Sequence, residues 1–302
     1  MTARPIAALL LALSLATGSG RAAERAPVVP PPPDPTLSSA DRAAAEAEIS
    51  KRIAGCPKRE DCVARIVQIT LFEAAPGSAL QKHGLERIRE DLMDAKIPLL
   101  EAFGSGKPAI QELVLDLVDQ GWDTLVRSTD AQFTSLAASG LESPSPNVRR
   151  AAGRLMAHRP LPQIAHWAVD AAVDDPSMTL AALMSIELTR APYVSRWVVD
   201  QLVHRNPDVR QQALRTISAI GRGAVPFLRE RIDDPDKAVR AAVVRAWLLV
   251  AVDDDQPQFE TWLTAHGKDD DATAKQVTTA LAQIQAGRYA PVVPAQPALS
   301  FR

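Results

Sequence analysis

The sequence predicts an all-α protein built as an α-solenoid of stacked helix pairs. Three observations carry this prediction. A helix-start pattern returns at a nearly fixed interval, as Pro146-Asn147-Val148-Arg149-Arg150-Ala151-Ala152, Pro176-Ser177-Met178-Thr179-Leu180-Ala181-Ala182, Asn206-Pro207-Asp208-Val209-Arg210-Gln211-Gln212-Ala213 and Pro235-Asp236-Lys237-Ala238-Val239-Arg240-Ala241-Ala242. Val148, Met178, Val209 and Val239 therefore recur at successive offsets of 30, 31 and 30. A second pattern interleaves with the first: Leu161-Pro162-Gln163-Ile164-Ala165-His166-Trp167-Ala168-Val169-Asp170 superimposes on Ala191-Pro192-Tyr193-Val194-Ser195-Arg196-Trp197-Val198-Val199-Asp200 with an offset of 30. Repeats of this period are units that bury their apolar faces only against neighbouring units. Finally, alternating β-branched runs are lacking, which argues against strands.

The N-terminal segment (1–23) reads as a secretory signal: Arg4 supplies the positive end, Ile6 to Ala16 an apolar run, and small residues follow at Thr17 to Gly20. That run is shorter than the ~20 residues a membrane-spanning helix needs. Cleavage after Gly18, Gly20 or Ala22 fits. Removal of Arg4 and Arg21 lowers Lys+Arg from 34 to 32 against 36 Asp+Glu, taking the net charge from −2 to −4. That balance gives no basic surface for nucleic acid. Residues 24–36 are a proline-rich linker of extended polyproline type. The pentapeptide Ala-Pro-Val-Val-Pro occurs at 26–30 and again at 290–294. The two copies read either as solvated tails of similar composition or as a pair of docking peptides.

Residues 37–143 are expected to form an N-terminal helical cap, with Ser38 or Ser39 capping a helix to about Ile53 and others at about 59–73, 83–103, 107–120 and 123–139. Their spacing is irregular, so both diverged repeats and a separate cap remain open. Cys56 and Cys62 are the only cysteines. In an exported chain a close, even pair is expected to form a disulfide, here pinning the turn between two helices and contributing roughly 2 kcal/mol.

In the repeats at 144–267, Ser145, Asp175, Asn206 and Asp234 each precede a proline, so a side-chain cap can meet a residue that needs no donor at the first helical position. Apolar residues follow at helical spacing: Val209, Ala213, Ile217 and Ile220, then Val239, Val243, Trp247 and Val250. Gly221 and Gly223 close a helix. Phe227 and Glu230 continue the second-helix pattern, and Pro257 with Trp262 restores its proline-to-tryptophan spacing. Residues 268–287 supply a capping helix from Asp271, with Val277, Leu281 and Ile284 on its apolar face. Residues 288–302 are expected to be a disordered tail.

Asp-Pro followed by Val-Arg-x-x-Ala and a short proline-led helix resembles the HEAT repeat in its short bacterial form, which also occurs in the lyases of light-harvesting pigment proteins. The resemblance covers 144–267 well and 84–143 loosely. It implies a fold used by scaffolds, adaptors and a few enzymes. It also implies that the second helices line the concave side and that the arginine after the repeated valine braces a turn aspartate.

No cofactor and no metal are expected. Gly104-Ser105-Gly106-Lys107 lacks the first glycine and the Ser/Thr of a phosphate loop, since Glu101 and Pro108 stand there. His83, His158, His166, His204 and His266 show no metal-ligand spacing. Asp253-Asp254-Asp255 and Asp269-Asp270-Asp271 lack the alternation of a calcium loop. No nucleophile elbow and no Ser-x-x-Lys occur.

Three columns remain. Arg149, Arg210 and Arg240 follow the repeated valine, with Arg154, Arg215 and Arg245 five further on, the second set expected in solvent. The aromatic column of Trp167, Trp197 and Phe227 either packs in the core or lines a ligand groove. Asp170, Asp200 and Glu230 follow it at a constant offset of three, and form either an acidic row for a basic partner or solvated and arginine-paired residues.

The expected function is therefore an exported, periplasmic or secreted, non-enzymatic scaffold or adaptor. It would bind a protein partner on its concave face, with Asp170, Asp200, Glu230, Trp167 and Trp197 as contact residues. Nucleic acid and membrane insertion after signal removal are not expected, and the chain is expected to be a monomer. The alternatives are an accessory enzyme or lyase- or chaperone-like protein, and a purely structural envelope protein.

Overall fold

Proline at a first helical position, followed by apolar residues every three or four, produces the main helices of the chain. The computed structural model describes residues 37–125, 130–159, 161, 164–268 and 271–299. The signal segment, the linker to Thr36, Pro162, Gln163 and Asp269-Asp270 lie outside the described residues. The helices are α1 (Ser39–Ile53), α2 (Arg59–Gln68), α3 (Ala79–Glu90), α4 (Leu92–Gly104), α5 (Pro108–Gln120), α6 (Trp122–Leu125), α7 (Asp130–Leu141), α8 (Pro146–His158), α9 (Ala165–Asp174), α10 (Thr179–Thr189), α11 (Ser195–Asp200), α12 (Pro207–Ile220), α13 (Val225–Arg231), α14 (Lys237–Leu248), α15 (Gln256–His266) and α16 (Asp271–Gln285). No strand occurs among the described residues.

The helices form two layers, and the molecule is an all-α solenoid. First helices stack in the order α5, α8, α10, α12, α14, α16. The second helices α7, α9, α11, α13 and α15 alternate with them along the chain, with α7 against α9 and α11 against α13. The repeated apolar positions Val148, Met178, Val209 and Val239 are all buried at the seam, each contributing roughly 1.5–3 kcal/mol by its removal from water.

The stack continues one unit further towards the N-terminus than the repeated sequence does. Pro108 opens α5, and Ile110, Val114, Leu117 and Val118 are buried where Val148, Ala152, Leu155 and Met156 are in α8. Before that unit, α1 packs on α3 and α2 on α4. The helix expected over 83–103 is two helices that meet at Asp91 (φ −109°, ψ 30°). Arg59 pairs with both Asp91 (2.5 Å) and Asp94 (2.9 Å) across this break, where acids face the favourable N-terminal end of α4.

The expected caps are formed unevenly. Asp175 accepts the N–H of Ser177 and Asn206 that of Asp208. Ser145 stands at the N-cap of α8 but makes no capping hydrogen bond. In the last copy Asp234 accepts the N–H of Asp236, which itself caps α14 through Ala238 N–H. Gly221 closes α12 at φ +70°, a conformation that favours glycine. Gly104 to Lys107 is a helix-to-helix turn, with Lys107 Nζ 5.2 Å from the Phe72 ring centroid.

Cys56 lies in the turn between α1 and α2 and Cys62 in the first turn of α2, both as free thiols. Cys62 Sγ points at the Cys56 carbonyl oxygen, 4.0 Å away.

Residues 288–299 have no regular structure but lie along the first-helix layer. Tyr289 donates its hydroxyl to Leu248 C=O (2.6 Å), Arg215 donates to Pro294 C=O (2.7 Å), and Gln211 donates to Ala295 C=O (2.7 Å).

Candidate functional site

The arginine column after the repeated valine closes the turns between units. Arg149 donates to Ser143 and Pro144 C=O, Arg210 to His204 and Arg205 C=O, and Arg240 to Asp234 and Pro235 C=O. One guanidinium thus satisfies two carbonyls ahead of each of α8, α12 and α14. Arg149 also lies 3.7 Å from Asp175 of the following turn. Hydrogen bonds from Ser177, aided by Arg149, hold the Asp175 carboxyl below its ordinary pKa against partial burial.

The second arginine column, expected in solvent, has two of its three members paired between successive first helices. Arg154 of α8 meets Asp116 of α5 (2.8 Å), and Arg215 of α12 meets Glu187 of α10 (2.6 Å). Arg245 is exposed. The two pairs differ in their separation along the chain, 38 against 28, so no fixed spacing announces them.

The second-helix layer presents the aromatic column. Trp167 of α9, Trp197 of α11 and Phe227 of α13 are each half-buried, packed against the core on one side and reaching the surface on the other. The neighbouring Ala168, Val198 and Leu228 take the fully buried positions. His166 stacks on Trp167 with ring centroids 3.9 Å apart, and Tyr193, ahead of α11, is 60% exposed.

The three acids do not form an open row. Asp170 is exposed. Asp200 of α11 pairs with Arg231 of α13, and Glu230 of α13 pairs with Arg196 of α11, each at 2.6 Å. These reciprocal pairs clamp adjacent second helices. Glu230 raises the pKa of Arg196 further, mainly through their hydrogen bond. Arg231 also holds Asp234 (3.0 Å) at the start of the next unit.

Between α11 and α13 this leaves a groove of about 250 Å³, walled by Arg196, Asp200, Glu230 and Arg231 with Val199 and Phe227 between them. A second groove of about 600 Å³ follows between α13 and α15, against Trp247 of α14. Trp247 and Trp262 are buried there, with indole N–H groups that have no hydrogen-bond partner among the described residues. Arg229 lies over the Trp247 ring at 5.4 Å, and His266 meets Asp233 at 3.0 Å.

The sequence reading missed this second groove as a site. Its sequence signals were the restored Pro257-to-Trp262 spacing and Trp247 in the apolar column of Ile217; Arg229 and Asp233 belong to no shared column. Asp255, one of the three adjacent aspartates that lack the pattern of a calcium loop, is fully buried and bound by Arg222, with Val252 N–H as a further donor. It is a structural charge that ties the α12–α13 turn to the start of α15. The histidines have separate uses: His83 meets Glu46 (2.8 Å), His158 meets Asp119 (3.0 Å), and His204 accepts from Asn206 N–H.

The family model described as HEAT repeats matches residues 167–248 and, in an overlapping second placement, 195–282. These matches fall on the α9-to-α16 stack whose packing is described above. Residues 167–282 of the chain are HEAT repeats. HEAT repeats are a protein-interaction scaffold kind of fold, and the first and second helices of each unit here are the two helices of a HEAT pair. The α5–α7 pair lies outside the matched residues yet stacks as a HEAT unit does. No curated protein matches the chain.

Proposed function

We propose that this protein is an exported, non-enzymatic scaffold whose partner docks on the second-helix layer of the HEAT array. The observation that carries the reading is the half-buried aromatic column at Trp167, Trp197 and Phe227, beside grooves walled by paired charges. Rings fixed on one side by the core and open on the other are pre-ordered anchors, and anchors of this type dominate interface energetics. The ion pairs around them form a polar rim that contributes little affinity itself. The partner is therefore selected by apolar and aromatic complementarity rather than by a bare acidic row.

Export rests on Arg4, the apolar run from Ile6 and the cysteine pair. No helix among the described residues is long and apolar enough to cross a membrane. In an oxidising compartment Cys56 and Cys62 are proposed to pair. Mass spectrometry of native protein should then show neither an alkylatable thiol nor Met1; two alkylated cysteines together with an intact Met1 would contradict both. The non-enzymatic reading rests on the sequence, in which neither a Gly-x-Ser-x-Gly elbow nor a Ser-x-x-Lys motif occurs.

The docking face is tested by photo-crosslinking. A photoreactive residue replacing Tyr193 should capture the partner from a periplasmic extract, whereas one replacing Leu188 on the first-helix layer should not. Capture through position 188 alone would place the partner elsewhere.

A further inference from the structure

The C-terminal segment is held on the first-helix layer through its backbone. Arg215 and Gln211, one turn apart on α12, donate to the carbonyls of Pro294 and Ala295. Arg215 is pre-oriented for this by Glu187, which also accepts from the fully buried Gln212 at 2.5 Å. An extended, proline-rich peptide suits such a site, because its carbonyls are unspent on internal hydrogen bonds and little freedom remains to be lost. The side chains of the segment contribute little here: Val292 is 87% exposed and Val293 41%. Among the described residues of the segment, Tyr289 and Leu299 pack against the core at either side and serve as its apolar anchors.

The segment so held, Ala290 to Pro294, is the second copy of a pentapeptide whose first copy is Ala26 to Pro30. In the first copy Pro30 and Pro31 stand where Pro294 and Ala295 do, and both supply the same acceptor carbonyl. The first copy has Arg25 in place of Tyr289.

We propose that the α12 site around Arg215 and Gln211 is a receptor for this pentapeptide, and that its occupant in trans is residues 26–30 of a second copy of the chain. The chain's own tail fills the site and competes with that occupant. Because the tail is tethered, its effective concentration is on the order of millimolar, so the intact chain self-associates only weakly. Loss of the Tyr289 and Leu299 anchors, which the first copy does not share, frees the site. This inference concerns the first-helix layer and stands apart from the partner-binding face.

The test is fluorescence anisotropy with a labelled synthetic peptide of residues 24–34, titrated with the full chain. Y289A/L299A should bind it at least about tenfold more tightly than the unaltered chain does, and should associate in sedimentation velocity. Adding Q211A, which removes the donor to the residue-295 carbonyl position, should weaken the peptide several-fold, with circular dichroism checking that the variant stays folded. Replacing residues 26–30 with a Gly/Ser segment should abolish the association. Single Y289A serves as a milder release if the double variant does not fold. Equal peptide affinity in released and unaltered chains, no binding in either, or association that survives replacement of 26–30 would each overturn the proposal.

Discussion

Asp255 shows how far the meaning of a residue depends on what it faces. In sequence it is one of three adjacent aspartates; in the fold it is fully buried under Arg222, with Arg229 at 3.7 Å as a second cation. Arg222→Ala should therefore destabilise the protein by about 3 kcal/mol, because removing one partner strands a buried carboxylate. Arg229 tempers the loss. Urea denaturation measures it, and a change below about 0.5 kcal/mol, the size expected of an ordinary surface substitution, would mean the pair is not structural. Other carboxylates act together in pH. His83, then Arg87, hold Glu46 below its ordinary pKa; Ser177 does so for Asp175, and the Asp236 N–H for Asp234. The unfolded chain therefore takes up protons first on acidification. These contributions are complete above about pH 5 and are lost as pH falls below about 4. The melting temperature should fall across that lower range; an unchanged value at about pH 3 would contradict the assignment.

At the scale of the element, the repeat was legible because its periodicity falls on buried positions. Val209 and Val239 sit at the seam where the repeat spacing puts them, with 3% and 8% exposure. Val209→Asp should cost several kcal/mol, and near-wild-type melting would show that the register is wrong. What was not legible was pairing between elements. Arg215 finds Glu187, and Arg231 finds Asp200, because stacked helices bring them together. No local pattern distinguishes these arginines from solvated ones. The α5–α7 unit was blurred for a related reason: its helix start, Pro108, precedes Pro146 by more than the regular interval. Gly84 is a further case. A Cβ there would overlap the Thr70 side chain, so α3 approaches the helix ahead of it closely. Gly84→Ala should lower stability by about 1–3 kcal/mol through overpacking; a more stable variant would contradict that approach.

Across the whole molecule, a HEAT array buries its continuous core between two helix layers and leaves each layer with its own surface. The first-helix layer carries the inter-unit ion pairs and the C-terminal segment. The second-helix layer carries the half-buried rings and the grooves at α11–α13 and α13–α15. The contact residues expected from sequence thus fall on one layer, but with altered roles. Trp167 and Trp197 are neither core nor free, and Asp200 and Glu230 are clamps between helices. The column spacing was enough to place them side by side, since the stack preserves the offset between units. It was not enough to show what neutralises them, because Arg196 and Arg231 occupy different positions in their units. The measurement that bears most directly on the scaffold reading is the affinity of the crosslinked partner for two sets of variants, by biolayer interferometry. W167A/W197A should weaken binding at least about tenfold, while D170N/D200N/E230Q should change it by less than about threefold. Loss of binding in the acid variant with full affinity in the tryptophan variant would contradict the account.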